Sequence, residues 1–183
     1  SLLADLPRSD HRYRLEHVGL ITHEQLETAA EMGVTPSFLV DLIYYYVRSL
    51  CEDLIGPERG RRLAPLSSAN ILGHKFSIHE DSPLFPLTHE PFRSMSTAVT
   101  RKMKPEDGGE VLGNEYRIST EDALKACTIN AAWQIFCERS LGTLEVGKLA
   151  DMVVLSHNPL KVPCEGLESI KVEATFMNGH EFR

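Results

Sequence analysis

Phe76-Ser77-Ile78-His79-Glu80-Asp81-Ser82-Pro83-Leu84 is the stretch on which the fold of this chain turns. It opens as a short alternating strand and closes in a polar turn ended by proline. Successive side chains of an extended segment face opposite ways. Phe76 and Ile78 therefore share one face, and Ser77, His79 and Asp81 share the other. The carboxyl ends of parallel strands open into the crevice where ligands and metals sit. A histidine and a carboxylate at such an end make a candidate site. An aspartate that merely caps the turn before Ser-Pro is the plain alternative.

Upstream, the segment from Arg12 to Leu20 alternates and then turns apolar, as a strand ending near His17 would. Thr22 with Gln25 forms a capping-box pattern, and Leu26, Ala29, Ala30 and Met32 give a helical face that Gly33 stops. Val34 to Val40 is a second short strand, interrupted by Pro36. Strand, helix and strand in close succession predict a parallel βαβ unit. Asp41 to Leu54 is aromatic-rich and reads as a loop passing into a helix. Pro57 marks a helix start, and a short helix from Ala64 to Gly73 precedes the quoted strand.

Downstream, Pro91 to Met103 has helical spacing, and 104–114 reads as a surface loop. Ser119-Thr120-Glu121-Asp122 starts a helix predicted to run through Cys127 and Ile129 to Phe136. From Leu141 the texture changes to a glycine-bounded turn. Met152 to Leu155 is then a compact β run, and Ile170 to Met177 alternates into the hairpin pair Asn178-Gly179.

With 42% hydrophobic and 25% charged residues in 183, the chain has the content of a globular domain. A net charge of −7 argues against nucleic acid or an anionic membrane surface as a partner. No apolar run has transmembrane length, and no signal peptide is visible. The four cysteines form no C-x-x-C pair and read as reduced thiols of a cytoplasmic protein. The first residue is Ser1, within what reads as a helix, so a fragment or a processed chain is expected.

Several segments together resemble the C-terminal part of the metal-dependent amidohydrolase superfamily, in its family 3 or YtcJ-like branch. They are Arg14-Leu15-Glu16-His17, His79-Glu80-Asp81-Ser82-Pro83, Ala98-Val99-Thr100-Arg101, Glu121-Asp122-Ala123-Leu124-Lys125 and, most specifically, Gly142-Thr143-Leu144-Glu145-Val146-Gly147-Lys148-Leu149-Ala150-Asp151-Met152-Val153-Val154-Leu155. The resemblance implies an α/β fold: the C-terminal part of a TIM-type (β/α) barrel over residues 1–140, followed by strands of a small β-sandwich over 141–183. His17 then matches the sixth-strand histidine of the family and Asp81 the eighth-strand aspartate. Both are metal ligands by that resemblance, and Asp81 is also the catalytic proton carrier. The cofactor implied is a divalent metal, zinc in the first place, and the substrate a small amide-like molecule whose C–N bond is cleaved.

The family's first-strand His-x-His and its fourth- and fifth-strand ligands have no counterpart here. The isolated chain is therefore expected to be inactive. It would depend on an N-terminal portion, self-associate, or serve as a non-catalytic interaction half. His79 is expected to neighbour the site rather than ligate. Tyr44-Tyr45-Tyr46 reads as a half-buried helix start, Arg101 as the partner of a helix carboxylate, and Lys148 and Asp151 as a turn and a strand entry. Leu42 stands where the family pattern has a histidine.

Overall fold

The computed structural model describes residues 9–81 and 89–182. Ser82, Pro83 and Leu84, the proline-closed end of the stretch quoted above, lie outside the described residues. Three short strands form a parallel sheet in the order β1 (Arg14–Leu15), β2 (Thr35–Leu39), β3 (Ser77–His79). Arg14 pairs with Thr35, and Ser37, Phe38 and Leu39 pair with Ser77, Ile78 and His79. Helix α1 (His23–Glu31) crosses between β1 and β2, as the parallel βαβ pattern requires. Both halves of its capping box are made: Gln25 N donates to Thr22 Oγ1 at 3.2 Å, and Thr22 N donates to Gln25 Oε1 at 2.9 Å. Pro36 is tolerated inside β2 because the ladder to β3 starts one residue later, at Ser37.

The period-two pattern sorts the two faces of this sheet. Phe38 and Phe76 are buried with their rings 5.7 Å apart, edge to face, alongside Leu26, Ile43 and Leu66. Each such side chain contributes about 1.5–3 kcal/mol on burial. The opposite face carries Thr35, Ser37, Ser77 and His79, joined by hydrogen bonds. Between β2 and β3 run α2 (Asp41–Tyr45), α3 (Gly56–Arg61) and α4 (Leu66–Ile71). The expected loop after β2 is absent. Helix begins at Asp41 and continues through Val47–Ser49 and a π-helical turn at Leu50–Ile55. His74 is buried, with Nε2 2.9 Å from the Leu26 carbonyl oxygen.

Helix α5 (Pro91–Thr100) is buried from Ser94 to Thr100. Beyond it, Ser119 caps α6 (Thr120–Cys127) by accepting from Asp122 N. The single helix expected through Phe136 is broken at Thr128, whose φ of −124° and ψ of −94° leave the helical region. α7 (Ile129–Gln134) follows the break and ends before Phe136. Gly142 explains part of this arrangement. Its φ is +90°, and a Cβ there would sit 2.8 Å from Ile129 Cα, so the chain after α7 folds back directly onto its backbone.

A second, antiparallel sheet holds β4 (Met152–Leu155), β5 (Val172–Met177) and β6 (His180–Phe182). Asn178 and Gly179, with φ of +49° and +79°, make the tight turn between β5 and β6. Lys148 and Asp151 lock the approach to β4: Lys148 Nζ donates to Thr143 Oγ1 at 2.6 Å, and Asn178 N donates to Asp151 Oδ1 at 2.7 Å.

Arg101 departs from expectation. It is fully buried and, among the described residues, pairs with no helix carboxylate. Its guanidinium donates to the carbonyls of Leu112 (2.8 Å), Ala64 (2.8 Å) and Leu63 (2.7 Å). Burial lowers its pKa to about 10. These three bonds tie the end of α5 to the segment before α4 and to the loop at Leu112. Arg101→Met is expected to cost at least about 3 kcal/mol in urea unfolding, because three buried carbonyls lose a charged donor. Arg101→Lys, whose ammonium cannot fork to three carbonyls, is expected to recover only part. A loss below about 1 kcal/mol for Arg101→Met would contradict this account.

Candidate functional site

His17 follows β1 in a left-handed conformation, with φ of +53°. The chain rejoins the sheet immediately, since Val18 N donates to Ser37 O at 3.1 Å. Glu16 and His17 thus bulge outward, a geometry unusual for a non-glycine residue and found where side chains are re-aimed. His79 ends β3. The two imidazoles meet across β2, with His17 Nδ1 and His79 Nε2 3.2 Å apart and ring centroids 4.9 Å apart. Strands two apart in a sheet are separated by about 9.6 Å. The rings can meet because the residue between them on β2 is the small Ser37, whose Oγ lies 2.8 Å from His79 Nδ1. His79 is thus in direct contact with His17.

Burial, and then the nearby His17, push the His79 imidazole below its ordinary pKa, while Glu16 and Asp81 pull the other way. Asp81 is thus placed near enough to His79 to act on its charge. Desolvation pushes the Glu16 carboxyl up, but hydrogen bonds from Arg14 and Ser37 outweigh it and hold it below the ordinary carboxylate range. Among the described residues, no three His, Cys, Asp or Glu side chains form a ready metal cage. The donor pair does fit a shared ion: two nitrogens on one tetrahedral zinc at about 2.0–2.1 Å would lie about 3.3 Å apart. Beside this pair a groove of about 730 Å³ runs along the polar sheet face, past Gln134 of α7 and Thr143, to Met152 of β4.

On the other side of β3, Glu80 receives the Glu90 N–H at 3.0 Å and lies 3.3 Å from His89 Nδ1. It shares the Ser94 hydroxyl with Asp41, at 3.2 and 2.8 Å respectively. Glu80, His89 and Ser94, with Cys127 and Pro91, border a second cavity of about 320 Å³. Asp41 is fully buried at the carboxyl end of β2, and among the described residues its Oδ1 has no hydrogen-bond partner. Cys127 is driven up to about 12 by burial and stays a thiol. All four cysteines are free. The sequence marked neither Asp41 nor Ser37, although the alternation Thr35-Pro36-Ser37-Phe38 does place Ser37 on the polar face. Tyr44 packs under the Arg93 guanidinium, 4.7 Å from its ring centre.

Burial raises the Asp41 pKa from 3.8 to about 6, and Glu80 adds to the rise, while Ser94 offsets part of it. A raised pKa means the folded state holds the proton more tightly. The associated stability is present below pH 3.8 and lost as pH climbs through about 6. Asp41→Asn keeps the shape of the protonated form. Its stability advantage over the parent is expected to widen by about 2 kcal/mol between pH 4 and pH 7 and then stay level. Urea unfolding across that range checks it; a gap independent of pH would refute the buried-acid assignment.

Residues 2–181 match the amidohydrolase family. The chain is 26% identical over 176 residues to the YtcJ protein of Bacillus subtilis (strain 168), covering 94% of this chain and 32% of that protein. It is 29% identical over 176 residues to the N-substituted formamide deformylase of Arthrobacter pascens, covering 93% of this chain and 31% of that enzyme. A solved structure of an uncharacterized metal-dependent hydrolase from Pyrococcus furiosus superposes with a TM-score of 0.65 at 29% identity, over 81% of this chain and 29% of that one. The chain thus spans about a third of the length of these relatives. A family match over nearly all of its residues shows that this chain belongs to the amidohydrolase family.

Proposed function

We propose that the protein to which these residues belong is a metal-dependent hydrolase that cleaves the C–N bond of a small, non-peptide amide. In this reading, residues 1–140 supply the C-terminal part of a TIM-type (β/α) barrel and residues 141–183 supply strands of a small β-sandwich. The observation that carries it is the approach of His17 and His79 at the carboxyl ends of β1 and β3, with Asp81 two residues further on. Family membership and the relatives named above support it. Half-exposed Met152, Val153 and Val154 on β4 fit a sheet that packs against further strands. Four free thiols fit a reducing compartment, the cytoplasm.

His17 and Asp81 would hold the divalent metal, zinc by the borderline character of imidazole and carboxylate donors. When bound, such an ion supplies Lewis acidity and lowers the pKa of water. Asp81 takes the proton of the attacking water and returns it to the leaving nitrogen, so that the amine departs neutral. The left-handed turn at His17 holds its ring above Ser37, and the groove beside it gives an acyl substituent an apolar wall at Met152. Two or three donors from this chain cannot hold a catalytic metal tightly, so the 183 residues alone are expected to lack turnover. No helix among the described residues is long and apolar enough to cross a membrane.

Zinc titration calorimetry on the 183-residue chain is expected to show weak uptake that falls at least about tenfold in both His17→Ala and Asp81→Asn. In the longer protein, Asp81→Asn is expected to lower hydrolysis of an N-substituted formamide by about 100-fold or more. Zinc uptake unchanged by both substitutions would remove these residues from the site. Tight stoichiometric zinc with turnover in the 183-residue chain would overturn the partial-site reading.

A further inference from the structure

The polar face of the parallel sheet carries a chain of hydrogen bonds whose direction is forced from its far end. Gln134, at the end of α7, directs one end of its amide at Pro36 O (3.0 Å), Lys75 O (3.0 Å) and Thr35 Oγ1 (3.1 Å). The two carbonyls only accept, and the Thr35 hydroxyl spends its own proton on Lys75 O at 2.7 Å. That end of the amide is therefore the NH₂, and Oε1 faces Ser77 Oγ at 2.7 Å. An amide oxygen only accepts, so Ser77 gives its single proton to Gln134.

The 2.9 Å contact between Ser77 and Ser37 then needs a proton from Ser37. The other oxygen group within reach of the Ser37 hydroxyl is the Glu16 carboxylate, which also accepts. His79 Nδ1 also lies within reach, but a Ser37 proton given to it would leave both oxygen contacts without one, so Ser37 keeps its proton for an oxygen. The 2.8 Å contact between Ser37 Oγ and His79 Nδ1 must be made by a proton on Nδ1. A neutral imidazole carries one ring proton, so Nε2 is bare, and Nε2 is the atom 3.2 Å from His17 Nδ1.

We propose that Gln134, acting through Ser77 and Ser37, is a positioning residue that holds neutral His79 as its Nδ1–H tautomer and so presents a bare Nε2 beside His17 as a further nitrogen donor to a divalent cation. The Nδ1–H form is the minority tautomer of a free histidine side chain in water, so the protein selects it. The selection of a bare nitrogen by an outer partner of the imidazole follows the way metal-ligating histidines are oriented generally. The tautomer follows from hydrogen-bond bookkeeping alone. The use of the bare nitrogen as a metal donor rests on the hydrolase reading above.

The test is two-bond ¹H–¹⁵N correlation on the ¹⁵N-histidine-labelled, metal-free protein at pH 8, with the His79 signals assigned by their loss in His79→Gln. The expected result is a protonated Nδ1 and an imine-like Nε2. Ser77→Ala and Gln134→Met are each expected to raise the Nε2–H fraction roughly fivefold, the bias of one net hydrogen bond. Ser77→Thr, which keeps the hydroxyl, is expected to restore the parent pattern. Nε2–H as the main form in the parent protein would overturn the tautomer assignment, with no variant needed. An unchanged Nδ1–H fraction in both Ser77→Ala and Gln134→Met would overturn the role of Gln134. Addition of zinc is expected to shift the Nε2 resonance. An Nε2 unmoved by zinc in a protein that still shows the Nδ1–H form would remove the donor role and leave the tautomer standing.

Discussion

Parallel pairing of β2 with a neighbour on each side is the constraint from which the rest of the structure follows. Its register places Ser37 opposite Ser77 and Leu39 opposite His79, while Thr35 faces Arg14 on the other flank. Because side chains alternate strictly, that single register sends Phe38, Phe76 and Ile78 into the core and gathers Thr35, Ser37, Ser77 and His79 on the opposite face. A slip of one residue would exchange the two sets. The polar face would then hold phenylalanine, and the imidazoles could not meet.

The middle strand also sets what its neighbours can do. Ser37 is small enough to let His17 and His79 close over it, and it hydrogen-bonds the latter. Gln134 ties the lower end of the same face to two carbonyls and a hydroxyl, so the polar row is satisfied along its length. A buried polar network with every member bonded is rigid, whereas a half-satisfied one is costly. The contrast lies one turn away, on the other side of β3. There Asp41 has an oxygen without a partner among the described residues and shares one hydroxyl with Glu80. One side of the sheet end is built to hold a geometry, and the other stores an unfavourable charge.

Much of this was legible because it is local. The Thr22–Gln25 box, the Gly33 stop, the Ser119 cap and the Asn178-Gly179 turn are each written within four residues, and each stands as expected. The role of Lys148 and Asp151 as a turn and a strand entry was equally local. The break at Thr128 was not. Helical spacing runs through it, and what ends the helix there includes close packing by Gly142, fourteen residues on. Arg101 misled for a similar reason. Its partners are carbonyls of residues 63, 64 and 112, and no side-chain pattern marks a carbonyl.

By itself, the sequence determined the alternation at residues 76–81, the parallel βαβ order and the family motifs, because period-two and period-3.6 patterns and cap chemistry act through neighbours along the chain. Only the tertiary structure decided that His79 stands with His17, that Ser37 lies between them and that Gln134 anchors the row. These groups come from three strands and a helix. Their meeting depends on strand order and register, which are set by burial over the whole domain and by no residue's immediate neighbours.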